Sequence, residues 1–160
     1  MMQLLILLLG FCAYEAYGAC ASNTDASKSL QGTARYFLVK TTAGNKLQCA
    51  FVDPPKGGTY TYGGRAGSTM VTFTATFRAS GDKIGVSGGQ GDVNGQSTLL
   101  YSDYDTCDVV KSPTENCELY VRKDKVDGGY DPCCKTKYEG CAKAKGGQST
   151  DLYRADCPGA

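Results

Sequence analysis

Two short segments, Cys107-Asp108-Val109-Val110 and Cys117-Glu118-Leu119-Tyr120-Val121, each set a cysteine directly before an acid, with a polar turn between them. Both are rich in β-forming residues, and side chains on a strand alternate between its two faces. Cys107 and Val109 therefore share one face, and Asp108 and Val110 the other. Likewise Cys117, Leu119 and Val121 point one way, while Glu118, Tyr120 and Arg122 point the opposite way. With the hairpin turn centred near Thr114, Asp108 lies opposite Tyr120 and diagonal to Glu118. The cysteines are then free to be bridged to whatever packs on their side. Two carboxylates and a phenol ring gather on the other. Like charges held together away from water are costly unless a cation joins them. If that face lines a closed barrel, the group is a receptor for a small organic cation, to which the ring face adds roughly 0.5–2 kcal/mol. The competing reading has the acids neutralised from within, for instance by Arg122 on the same face.

The elements needed to position this hairpin are mostly strands. Residues 33–42 are rich in β-formers and apolar on both faces, which predicts a central strand. Residues 46–52 follow the turn-forming Ala43-Gly44-Asn45. Residues 59–62 lie between glycine pairs, and 69–77 alternate Val71, Phe73, Ala75 and Phe77 against threonines. Residues 83–87 and 96–102 flank a glycine-rich stretch in which Asn94-Gly95 is a hairpin-turn signal. With the final hairpin this makes about eight strands at short, regular spacing, the pattern of an antiparallel barrel or sandwich. A short helix is predicted over 25–31, stopped by Gly32. A second has Asp131 as N-cap, Pro132 at its first position, a body over 133–145 and a stop at Gly146-Gly147. Cys134, Tyr138 and Cys141 recur on one face of it, the face to lay against the outward Cys107 and Cys117.

Composition narrows the chemistry. The chain has 160 residues, nine cysteines and no histidine. An apolar run from Leu4 to Phe11, followed by Ala16-Tyr17-Gly18, reads as a signal peptide over 1–18 although its first residues lack a basic side chain. The run is too short to span a bilayer. Removing it takes away Cys12 and Glu15 and leaves a single domain over 19–160 with eight cysteines and a net charge near +2. Eight cysteines in a small secreted domain predict four disulfides, and the mild charge gives no nucleic-acid footprint. Without histidine or a Cys-x-x-Cys pair, zinc is not expected. The commonest general base is missing too, so no enzyme, catalytic residue or cofactor is expected. Asp103-Tyr104-Asp105 lacks the further ligands of a calcium loop and reads as a polar turn. No Gly-Lys-Ser/Thr follows the glycines of 85–95, which removes a phosphate loop.

Taken together, Tyr36-Phe37-Leu38-Val39-Lys40, Leu100-Tyr101-Ser102-Asp103, Cys107-Asp108-Val109, Cys117-Glu118-Leu119-Tyr120-Val121-Arg122-Lys123 and the vicinal Cys133-Cys134 resemble the tick salivary lipocalins, and in particular their biogenic-amine-binding signature. The resemblance implies an eight-stranded antiparallel lipocalin barrel, mainly β, with a C-terminal helix on its outside. It also implies a secreted, extracellular monomer that sequesters histamine or serotonin at a feeding site through Asp108, Glu118 and Tyr120, with no membrane or nucleic-acid partner. The alternatives on the same fold are a scavenger of a leukotriene or thromboxane, with Arg122, Lys40 or Arg35 meeting its carboxylate, and a complement-binding inhibitor. The implied pairing is Cys20–Cys133, Cys49–Cys157 and Cys107–Cys134, which leaves Cys117–Cys141; a cross-strand Cys107–Cys117 bridge is the rival. Family members usually carry Trp where this chain has Tyr120, and its loop after the first strand is short. One amine site, not two, is therefore expected.

Overall fold

The computed structural model describes residues 20–159; the segment expected to be a signal peptide lies outside them. Eight antiparallel strands form a closed barrel: β1 (Tyr36–Thr41), β2 (Gln48–Val52), β3 (Thr59–Ala66), β4 (Thr69–Ser80), β5 (Lys83–Ser87), β6 (Gly95–Ser102), β7 (Cys107–Lys111) and β8 (Cys117–Arg122). Each strand pairs with the next in sequence, and β1 closes the ring by pairing with both β8 and β2. A two-residue strand, β9 (Thr150–Asp151), pairs with β1 at Lys40 and Thr41, whereas β2 pairs with β1 at Tyr36 and Phe37. The C-terminal segment thus fills the part of the β1 edge that β2 leaves free.

Several differences from the sequence-based expectation have local causes. β3 continues through Gly63-Gly64 to Ala66, because glycine is what close strand packing requires there. A Cβ on Gly63 would stand 2.0 Å from the Val71 carbonyl oxygen, and one on Gly64 2.7 Å from Leu47 Cβ. Asn94-Gly95 is not the centre of a two-residue turn. Asn94 is extended (φ −69°, ψ 145°), and its side chain accepts from the Gly89 N–H and donates to the Gly89 carbonyl. It thereby braces a longer loop over residues 88–94, and Gly95 opens β6 at φ +120°.

Helix α1 (Ala26–Ser29) is shorter than expected and is capped by Asp25, whose side chain accepts from the Ser27 and Lys28 N–H groups. It plugs one end of the barrel: the Ala26 N–H donates to the Gly81 carbonyl, and the Tyr60 hydroxyl donates to the Leu30 carbonyl. Helix α2 (Pro132–Ala144) starts at Asp131, which accepts from the Cys133 N–H at 2.8 Å and from the Tyr101 hydroxyl at 2.7 Å. Cys134, Tyr138 and Ala142, at i, i+4 and i+8, are buried against Cys107, Val109, Cys117, Leu119 and Val121 on the outer wall. Leu119, Val109 and Val121 are fully buried there, each worth roughly 1.5–3 kcal/mol of apolar transfer. A second cluster, including Ala75, Ile84, Val86, Leu99 and Val110, lies inside the barrel.

The disulfides run Cys20–Cys133, Cys49–Cys157, Cys107–Cys134 and Cys117–Cys141. Two of them join α2 to β7 and β8. Cys20–Cys133 ties the segment before α1 to the first turn of α2. Cys49 reaches Cys157 from a bulge in β2, where its own φ is +53° and the pairing with β3 shifts register.

Candidate functional site

The β7–β8 register sets Asp108 opposite Tyr120 and Val110 opposite Glu118, so the two acids and the phenol sit on the face turned into the barrel. They line a cavity of about 280 Å³. Seven aromatic side chains are part of its lining. Tyr60 stacks on Phe77 with centroids 4.4 Å apart, and Tyr62 tilts against Phe73 at 5.7 Å. Tyr36, Phe51 and Tyr120 complete the lining on the β1, β2 and β8 side. Ser29 and Leu30 reach the cavity from the plugged end, and Lys46, Asp92 and Pro113 from the loops at the opposite end.

The two carboxylates are held differently. Asp108 accepts a hydrogen bond from Ser29 Oγ at 2.9 Å. No lysine or arginine among the described residues pairs with it. It is half-buried on the cavity wall. Desolvation therefore dominates and raises its pKa to about 6, against the opposing pull of the Ser102 and Ser29 hydroxyls; the charge of Asp103 adds to the rise.

Ser102 reaches this face through a register shift in β6. Leu99 pairs with Val110, but Tyr101 pairs with Val109, so one residue is extra. The bulge puts Tyr101 outside against α2 and returns Ser102 to the inside beside its pairing partner Asp108.

Glu118 is only 5% exposed. Its Oε2 accepts from the Tyr120 hydroxyl at 2.9 Å. Its Oε1 has Lys46 Nζ at 3.3 Å, an ion-pair distance, but the approach is not aligned for a hydrogen bond and Oε1 has no donor. Lys46 also lies 3.2 Å from Asp92. Burial alone would lower the Lys46 pKa, but the charges of Glu118 and Asp92 outweigh it and raise the value. Tyr120 is pushed well above the ordinary phenol range, first by burial and then by Glu118.

The internal neutraliser of Glu118 is therefore Lys46, from the β1–β2 loop, and not Arg122. Arg122 turns to the rim, where it pairs with Asp105 and, at 2.6 Å, with Asp124. Lys40 pairs with Asp151 at 2.5 Å, and Arg35 pairs with Asp53 at 2.7 Å while covering the Phe51 ring. None of these three cations is among the residues lining the cavity. Lys46, Ser29 and Ser102 escaped the sequence analysis. A loop lysine, a helix-terminal serine and a serine moved by a bulge carry no periodic signal.

The geometry offers a cavity with several aromatic side chains in its wall, a half-buried carboxylate with no lysine or arginine partner among the described residues, and a second carboxylate already ion-paired. A family model described as tick histamine binding protein matches residues 58–158. The crystal structure of the AM182 serotonin complex superposes with a TM-score of 0.76 at 33% sequence identity, covering 88% of this chain and 98% of that one. The match extends over more than half of the chain, including β3 to β8 and α2, and the chain belongs to the tick histamine-binding protein family.

Proposed function

We propose that this protein, secreted after cleavage near Gly18, sequesters one host biogenic amine per molecule in its barrel and so blunts inflammatory or haemostatic signalling. The observation that carries the reading is Asp108: a desolvated carboxylate facing an aromatic cavity, with hydroxyl partners but no cation. An alkylammonium arriving there supplies the missing charge, and its aromatic ring occupies the space beside Tyr36, Phe51 and Tyr120. Glu118 acts one step removed, holding the Tyr120 ring through the phenol hydrogen bond. A fatty-acid mediator is disfavoured, because its carboxylate would enter beside an unpaired Asp108 while the cavity's lysine is already ion-paired. No redox centre, nucleophile or turnover is required for such a role; binding alone removes the mediator.

The test is calorimetric titration of the disulfide-intact protein with histamine, serotonin and a leukotriene. One amine per protein is expected. An amine of about eight heavy atoms can reach roughly −12 kcal/mol at the best efficiency known for small ligands, near a nanomolar Kd. A stoichiometry of two, or saturable binding of the leukotriene alone, would overturn the proposal.

A further inference from the structure

The Lys46 ammonium occupies a place that resembles a ligand's more than a surface ion pair's. Its side chain is 19% exposed and its partner Glu118 7%. It reaches past the rim, where Asp92 is 56% exposed, to a carboxylate oxygen that has no hydrogen-bond donor. Inside the mouth Lys46 offsets Glu118, and Asp108 alone remains unmatched. Asp92 is at the solvent-exposed mouth, while Arg35 and Asp53 cancel each other at the plugged end.

We infer that Lys46 is a built-in occupant of a second cation subsite at Glu118, and that it makes the cavity selective for ligands carrying a single positive charge. The inference rests on the proposed amine-binding role of the cavity. Its physical basis is a charge count. A monocation brings the Asp108–Glu118–Lys46 group to neutrality, whereas a dication leaves one ammonium desolvated without a partner or must displace Lys46 from two carboxylates. With Lys46 gone, Glu118 becomes a second desolvated carboxylate without a cation. Asp108 and Glu118 are diagonal neighbours across the β7–β8 pair, so their backbones are roughly 7–8 Å apart, a span that a five-carbon diamine suits. Lys46 thus acts as a specificity residue that never needs to touch the amine at Asp108.

The probes are pentylamine and 1,5-diaminopentane, which differ by one ammonium group, titrated calorimetrically into the parent protein and into Lys46→Ala, Lys46→Gln and Lys46→Arg. The ratio of diamine to monoamine affinity is expected to rise at least tenfold in Lys46→Ala and in Lys46→Gln, which keeps most of the side chain's length should the alanine variant fail to fold. Adding Glu118→Gln should abolish the gain. Lys46→Arg retains the occupant and should keep the parent ratio. An unchanged ratio in both neutral variants overturns the inference, and so does an arginine variant that behaves like alanine, because the positive charge would still be present and could not be the cause. If the parent binds neither probe, titration with histamine and serotonin decides separately whether the amine-scavenger reading fails. In that case, saturable uptake appearing in the neutral variants still supports the role of Lys46, and its absence there overturns it.

Discussion

Asp108 gives the amine reading a pH signature whose size follows from the structure. Its carboxyl is raised to about 6 in the empty cavity, and an ammonium within about 4–6 Å lowers a carboxyl by roughly 1–3 units. The complex therefore holds Asp108 ionised down to about pH 3–5, while the free protein takes up a proton below about pH 6. Affinity is highest above the free value and falls as pH drops through it. From pH 7 to pH 5 the loss is about five- to tenfold, or roughly 1–1.4 kcal/mol, and it levels off below the pKa of the complex. Serotonin is the ligand for this test, because its alkylammonium titrates near 10, as lysine does, whereas the imidazole of histamine titrates at about 6.5 and would add its own pH dependence. Calorimetry at pH 5, 6, 7 and 8 measures the fall. Repeating the pH 6 titration in two buffers of different ionisation enthalpy counts the protons, with release of about half a proton expected at that pH. Affinity that stays flat from pH 7 to pH 5, or a slope that survives in Asp108→Asn, would refute the assignment of Asp108 as the ammonium partner.

Four further outcomes are expected. Asp108→Asn should weaken amine binding by roughly 1.5–3 kcal/mol, the scale of a hydrogen bond to a charged group, measured by the same titration. The same substitution should stabilise the empty protein at pH 7: a carboxyl raised from 3.8 to about 6 on folding costs stability that appears as pH rises through that interval. The full shift is worth up to about 3 kcal/mol, and an imperfect amide fit at Ser29 leaves roughly 1–2 kcal/mol of gain in denaturant melts. Gly63→Ala should cost roughly 1–3 kcal/mol, since the added methyl meets the Val71 carbonyl and backbone must move; a thermal midpoint equal to the parent's would count against the packing described. Replacing Cys117 and Cys141 together by serine opens a loop spanning 24 residues and should cost about 3–4 kcal/mol on the loop-entropy scale, read from denaturant titration.

Much of this architecture is legible in the chain because the barrel relies on local alternation. The pairs Cys107/Asp108 and Cys117/Glu118 separate wall from interior by the two-residue period alone. Asp131-Pro132 and Gly146-Gly147 bracket α2 by capping chemistry that depends on immediate neighbours. What escapes is set by contacts between distant segments. Nothing near Lys46 in sequence says that its loop folds over the mouth to place Nζ beside Glu118. The strand through Gly63-Gly64 reads as ending at Tyr62, because glycine is a breaker unless Val71 and Leu47 approach as closely as they do. Ser102 turns inward only through an extra residue whose effect depends on the register of β7.

The bridges Cys20–Cys133 and Cys49–Cys157 span 113 and 108 residues and overlap along the chain, and the two shorter bridges lie astride or within them. When the barrel melts with its disulfides intact, it therefore does not become a free coil but a covalent net of interlocking loops. Such a chain exposes less new surface than a linear one of equal length, and the slope of stability against denaturant scales with that surface. The protein should thus unfold over a broad denaturant range, with a slope shallower than is ordinary for an uncross-linked domain of this size.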